Sequence, residues 1–507
     1  MSENPNKLFI DPFIHMIYSI RKYIPFVLLL LFMLASCSER QNILQNLQPA
    51  TLNAAYESSK ETAITHRRFK HKDLQPLIEK HSGTFKIEEL GKSVQGRSIK
   101  QLEYGEGETK VLLWSQMHGD ESTATMALFD LFNFLKAKND SFNIIRNVIK
   151  ENLKIRFIPM INPDGAEVFT RRNAYGIDLN RDAIKEVSPE ASILKAAREE
   201  FAPFFGFNLH DQQIYYNVEQ TEKPATISVL APAYNYKTEV NDVRARAMQV
   251  IVGMNRILQE VIPGQVGKYN DAFEPRAFGD NFQKWGTSTI LIESGGYPND
   301  PEKQYIRQLN FMIILNALYE IAHGDYNNYA VEDYFRIPDN DRKLMDLVLR
   351  NVTINNGKNK YQLDLGIKRQ NMEMDNGYAV RGQIDDVGDL SVYYGYKELD
   401  ASGLEYVEGK LADEAIEHIS DLNHEKAFEL LKEGFLGIKV KNNAESPFHD
   451  LPLLVLREMD SIPSGYKMGS NPNFFLKKND ELLYAIVNGY LINLNKPEAK
   501  GFKQHIW

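Results

Sequence analysis

Five short apolar runs, at residues 111–114, 155–161, 205–209, 227–230 and 289–292, are interleaved with stretches at 121–138, 190–201, 240–261 and 301–323 that read as helices. No other feature limits the fold so tightly. Strands that are apolar on both faces must be covered on both, and strands separated by helices tend to run parallel. The expected fold class is α/β, with a mixed, largely parallel sheet covered by helices. In such sheets ligands collect beyond the carboxyl ends of the strands. Three residues stand where a strand candidate gives out: His118, His210 and Glu293.

Residues 114–121 read WSQMHGDE. His118 lies in the polar turn, and Glu121 opens an amphipathic segment carrying Met126, Phe129, Phe132 and Leu135 at helical spacing. An imidazole and a carboxylate that converge are good ligands for zinc, although a catalytic site needs a third. The same spacing also suits a plain helix start with acidic residues set against the dipole. His210, in GFNLHDQ, is the candidate third ligand. Of the 11 histidines only His118 and His210 combine a strand end with a polar turn; a structural histidine is the alternative.

Between them runs NPDGAEVFTRRNAYGIDLNRD, residues 162–182. NPDG is turn chemistry. Arg171, Arg172 and Arg181 are either ordinary surface arginines or guanidinium groups suited to capturing a carboxylate and steadying a developing oxyanion. Glu293, in ILIESGG, ends an apolar strand, where a carboxylate needs a cation, a metal or solvent. It is either a cap or salt-bridged edge residue, or the general base of a metal-assisted hydrolysis.

These pieces, GKSVQGRSI, HGDE, NPDG, TRRN…GIDLNRD, NLHD and ILIESGG in that order, resemble the zinc metallocarboxypeptidases of carboxypeptidase A type over roughly residues 69–324. The resemblance implies one Zn2+ held by His118, Glu121 and His210, with an open position for water. It implies Glu293 as general base and proton shuttle, and Arg171 (or Arg172, if the register shifts by one) on the scissile carbonyl. Asn180 and Arg181 would grip the C-terminal carboxylate of a peptide substrate. The implied reaction is hydrolysis of the last peptide bond of peptides outside the cytoplasm. The family's mobile tyrosine has Tyr269 as its nearest counterpart. The base of the side-chain pocket falls near Phe278 or Gly279, where a Phe would favour apolar terminal residues; Arg276 would instead mark an acidic preference. Two alternatives stay open, a zinc amidase acting on acylated amino acids and a non-catalytic peptide-binding lipoprotein. No nucleophile motif such as GxSxG is evident.

The chain's 507 residues leave room for more than one domain. A net charge of −9 without a Lys/Arg-rich block argues against a nucleic-acid surface. Arg21 and Lys22 precede an apolar run at 24–34, too short to span a bilayer, so residues 1–36 read as a secretory signal peptide. The LASC at 34–37 resembles the bacterial lipobox, which implies a lipidated Cys37 and firm membrane anchoring. Cys37 is the only cysteine, which excludes a disulfide within the mature chain. Ser38, in place of the Asp often used for inner-membrane retention, implies the outer membrane of a bacterial envelope, on its periplasmic or surface face. Residues 37–68 are expected to be a polar tether and 69–325 the zinc carboxypeptidase domain. Short β-type runs at 347–354, 361–368, 378–384, 391–397, 435–440 and 482–495, with a helix at 425–433, make 326–507 a β-rich accessory domain.

Overall fold

The computed structural model describes residues 47–374, 377–442, 447–457, 461–496 and 501–507. The expected signal peptide and the lipidated Cys37 lie outside the described residues. Nine strands come first: β1 Lys86–Lys92, β2 Ser98–Tyr104, β3 Thr109–Ser115, β4 Leu153–Ile158, β5 Phe205–Asp211, β6 Asn217–Val218, β7 Ile227–Leu230, β8 Val266–Lys268 and β9 Ser288–Ser294. Eight of them form one sheet in the order β1-β2-β4-β3-β5-β9-β7-β8. The central four, β4-β3-β5-β9, run parallel. Antiparallel pairings come toward the edges, where β1 meets β2, β2 meets β4 and β7 meets β9. The sheet is mixed and largely parallel, as the apolar runs require.

Alternate residues of a strand serve opposite faces. Val111 and Leu113 join the larger core with helices Thr123–Lys136, Asp242–Val261 and Gln304–His323. Leu112 and Trp114 join a smaller one with Leu194, Phe278 and Phe282. The Trp114 indole passes so close to Gly206 that an added Cβ would sit 3.1 Å from it. Helix Gln304–His323 is apolar almost all round because it is sandwiched between other helices, against Thr123–Lys136, Asp242–Val261 and Pro49–Ser59.

That last contact corrects the tether. Within residues 37–68, Pro49–Ser59 is a helix that buries Leu52, Ala55, Tyr56 and Ser59. Its apolar stripe is narrow, so the polar composition around it hid the periodicity. Arg307, whose side chain is fully buried, ties the segment down by donating to Glu61 O at 2.8 Å and Ile64 O at 2.6 Å while pairing with Asp130. A buried guanidinium is tolerated here because a carboxylate and two carbonyls satisfy it.

The α/β part also runs past residue 325. Tyr326, Tyr334 and Ile337 belong to the larger core, and the Ala231 N–H donates to the Tyr334 hydroxyl at 3.2 Å. It ends at a short strand, Asn340–Asp341, paired with β6. Beyond lies a mostly β region. A second eight-stranded sheet begins with Leu344–Asn355, Lys360–Met374 and Gly377–Gly388, and a smaller sheet carries helix His424–Lys432. The expected strand at 482–495 is a hairpin, Glu481–Val487 with Tyr490–Asn493. Its two-residue turn, Asn488-Gly489, has φ of 50° and 78°, the left-handed pair that Asn-Gly adopts.

The larger core holds one titrating weak point. His81 is 0% exposed, meets Phe85 and Phe132 edge-on at 5.7 Å, and has no hydrogen-bond partner on either ring nitrogen. Burial, helped by Lys136, pushes its pKa down to about 4. The unfolded chain takes up that proton near pH 6.5 while the folded chain resists it. The stability at stake is therefore complete above pH 6.5 and is lost as pH falls toward 4, by ~3 kcal/mol. Urea midpoints at pH 7 and pH 4.5 are expected to differ less for His81→Leu than for the unchanged protein; equal differences would refute this.

Candidate metal centre and catalytic cleft

β3 ends at Ser115, and the turn that follows is held from two sides. The Gln116 amide donates to Gly119 O at 2.9 Å. Gly119 itself lies against the Gly165 backbone, where an added Cβ would come within 2.0 Å. Glu121 N–H donates to His118 O at 3.1 Å, so the turn closes and brings both side chains to one side. The helix starts only at Thr123, which leaves Glu121 just ahead of it and not in its first turn. His210 comes from the end of β5, and the β5–β9 register sets it directly opposite Glu293.

The result is a tight donor group. Nδ1 of His118 and Nδ1 of His210 are 3.2 Å apart. The Glu121 carboxylate bridges them, 2.8 Å from the first and 2.7 Å from the second. All three donor atoms lie within 4.8 Å of one another, and all three residues are buried. On its far side, Nε2 of His118 donates to Asp178 Oδ1 at 3.0 Å. That bond orients the ring so that Nδ1 faces inward. Two imidazole nitrogens and a carboxylate facing one point could hold a metal ion, and this N/N/O set is one that zinc accepts.

The charges follow the geometry. Burial opposes ionisation of Glu121, but the two histidines hold its carboxyl well below the usual range. Burial likewise opposes a charge on His118, yet Glu121 and Asp178 hold its pKa up at about 9. Glu293 goes the other way: burial, then the Glu121 charge, pushes its carboxyl well above the ordinary range. Arg171 reaches the group, with Nη1 3.2 Å from Glu121 Oε1 and Nε and Nη2 at 3.1 and 3.0 Å from Asp178 Oδ2. Arg172 turns away and donates to Gly176 O at 2.9 Å. Asn180 and Arg181 sit in the short turn Leu179–Arg181. The Asn180 carbonyl oxygen of the side chain accepts from Phe278 N at 2.9 Å, and Arg181 pairs with Glu274 at 3.2 Å. The donors, Glu293, Arg171, Asn180 and Arg181 all line a single cleft of about 540 Å³.

Residues 71–228 match the profile of the zinc carboxypeptidase family. The matched stretch contains His118, Glu121, Arg171, Asn180, Arg181 and His210, and stops short of Glu293. The carboxypeptidase N catalytic chain of Homo sapiens is 28% identical over 144 residues, 24% of this chain and 31% of that protein. Carboxypeptidase SOL1 of Arabidopsis thaliana is 29% identical over 117 residues, 22% of this chain and 24% of the other. An uncharacterised protein of Zymomonas mobilis is 28% identical over 148 residues, 28% of this chain and 38% of its own length. The chain thus spans between about a quarter and two fifths of these relatives. Among solved structures, a metallo-carboxypeptidase from Burkholderia cenocepacia aligns with 50% of this chain and 70% of its own, at 16% identity and a TM-score of 0.42.

Two expectations about the pocket change. Phe278 is fully buried with Trp114 and Phe282 and does not line the cleft. An apolar strand-covering helix needed that ring more than the pocket did. Gly279 and Asp280 face the cleft instead, and burial pushes the Asp280 carboxyl up to about 7. Arg276 is exposed, held by Glu274, and lines a neighbouring cavity of about 470 Å³ with Arg172 and Arg181. Tyr269 does line the cleft, its ring 5.8 Å from that of Tyr216.

Three members of the site escaped the sequence. Asp178 caps the turn after it, accepting from Asn180 N at 2.9 Å, and a capping Asp gives no hint of a second role. Asp211 and Lys303 form a buried pair at 3.0 Å beside the donors. Lys303 looks like a loop lysine; only the packing shows that it donates into the core, to Ser294 O at 2.7 Å. The NLHD run offered the one available signal, an acid directly after the histidine. Asp178→Asn, which removes the charge facing His118, is expected to weaken zinc affinity by about 10–100-fold. Competition with a chromogenic chelator measures this, and an unchanged affinity would remove Asp178 from the centre.

Proposed function

We propose that the chain is a zinc-dependent carboxypeptidase that removes the last residue from peptides outside the cytoplasm. The observation supporting it most is the meeting of His118, Glu121 and His210 at one point, with Glu293 in register beside His210. Zinc, when bound there, supplies a Lewis acid that polarises a carbonyl and acidifies water. The chain's own residues account for the rest. Asp178 keeps His118 Nδ1 directed at the centre. Glu293, in register beside His210, acts as a carboxylate to take a proton from water and hands it to the departing amine. Arg171 presents N–H groups where the carbonyl oxygen gains charge. Asn180 and Arg181 receive the terminal carboxylate, with Glu274 holding the Arg181 fork in place.

Blocked dipeptides with a free or an amidated C-terminus test this directly. The zinc-loaded protein is expected to cleave the first and leave the second; cleavage of both equally would sink the carboxylate grip, and cleavage of neither would sink the enzyme. We further propose attachment to the bacterial envelope, at its outer membrane, through Cys37. No helix among the described residues is long and apolar enough to cross a membrane. Cys37→Ser is expected to move the protein from the membrane to the soluble fraction.

A further inference from the structure

Five cationic side chains line the cleft: Arg67, Arg171, Arg181, Lys303 and Arg342. Four of them face internal anions. Arg67 lies 3.8 Å and Lys303 3.0 Å from Asp211, Arg171 is bound to Asp178 and Glu121, and Arg181 to Glu274. Among the described residues no carboxylate pairs with the exposed guanidinium of Arg342. A cation left unneutralised in a binding cleft is a place for an anion from outside.

Its backbone is held firmly. Asn340–Asp341 pairs with Asn217–Val218, Lys343 N–H donates to Asn217 Oδ1 at 2.8 Å, and Leu344 N–H to Tyr215 O at 3.1 Å. The β-rich region braces the same wall from behind. The Tyr215 hydroxyl donates to Asp346 Oδ2 at 2.8 Å, and the Tyr396 hydroxyl to Ile214 O at 2.5 Å. Arg342 therefore sits on anchored backbone and lines the cleft together with Gln213, Ile214 and Tyr216, which follow the His210 strand in sequence. Asn180 and Arg181 are tied instead to Phe278 and Glu274. An exopeptidase of this kind has one residue beyond the scissile bond, and its carboxylate goes to Asn180 and Arg181. A second carboxylate, meeting Arg342, belongs to a side chain, either of the terminal residue or of one before the bond, and the company of the residues that follow His210 favours the latter.

We propose that Arg342 is a specificity-determining residue that binds an acidic side chain on the N-terminal side of the scissile bond. The proposal rests on the carboxypeptidase reading, and its test separates the two. Blocked dipeptides with one terminal residue, preceded by Glu or by Gln, are given to the zinc-loaded protein and to its Arg342→Ala and Arg342→Lys variants. The unchanged protein is expected to favour Glu about tenfold in kcat/KM, as suits one charge-assisted hydrogen bond. Arg342→Ala brings that ratio close to one, and Arg342→Lys keeps part of it. Calorimetric binding of the same peptides to the metal-stripped protein reads the preference without catalysis, so a failure to cleave counts against the enzyme and not against Arg342. A ratio near one in the unchanged protein, or a ratio that survives Arg342→Ala, overturns the proposal.

Discussion

Glu293→Gln is expected to lower kcat for peptide hydrolysis by about 10²–10⁴-fold, the usual worth of a positioned general base. Gln keeps the size and one acceptor of Glu but takes no proton. It also removes a buried carboxyl whose charge burial and Glu121 disfavour. Zinc content should therefore be unchanged, and the thermal midpoint equal to or above that of the parent. Steady-state kinetics with metal analysis on the same preparation checks both halves. A variant with full zinc and full activity would mean that another group moves the proton.

The second large effect concerns the metal. Stripping zinc with a chelator is expected to abolish hydrolysis and to lower stability, and restoring it should reverse both. The reason lies in the donor group: the folded chain holds three buried potential ligands within 4.8 Å of one another. Zinc at a thousand times its dissociation constant would add ~4 kcal/mol to the folded state, because the unfolded chain does not hold the three donors together. Denaturant midpoints with and without zinc measure this. No shift on zinc addition would show that the donors do not bind it, and the proposed chemistry would fall with them.

The strands and helices of the α/β part were legible because burial on two faces leaves a local mark. The apolar run 227–230 is β7 itself, and the runs at 111–114, 205–209 and 289–292 lie within β3, β5 and β9, which extend a few residues beyond them. The hairpin at Asn488-Gly489 shows what local chemistry can add and was overlooked inside a longer apolar run. Helix Pro49–Ser59 was missed for the opposite reason, since four buried positions in a polar segment barely disturb its composition.

By itself the sequence determined the central strands, the helices that cover them, and that His118, His210 and Glu293 stand where strands end, because each depends on residues close in the chain. Only the tertiary structure decided that these ends meet. Placing His210 opposite Glu293 takes a strand order in which β9 is inserted between β5 and β7, and no local pattern encodes that order. The same holds for charge. Whether an arginine in the cleft meets an internal carboxylate, as Arg181 meets Glu274, or none among the described residues, as Arg342 does, depends on partners many residues away that packing alone brings within reach.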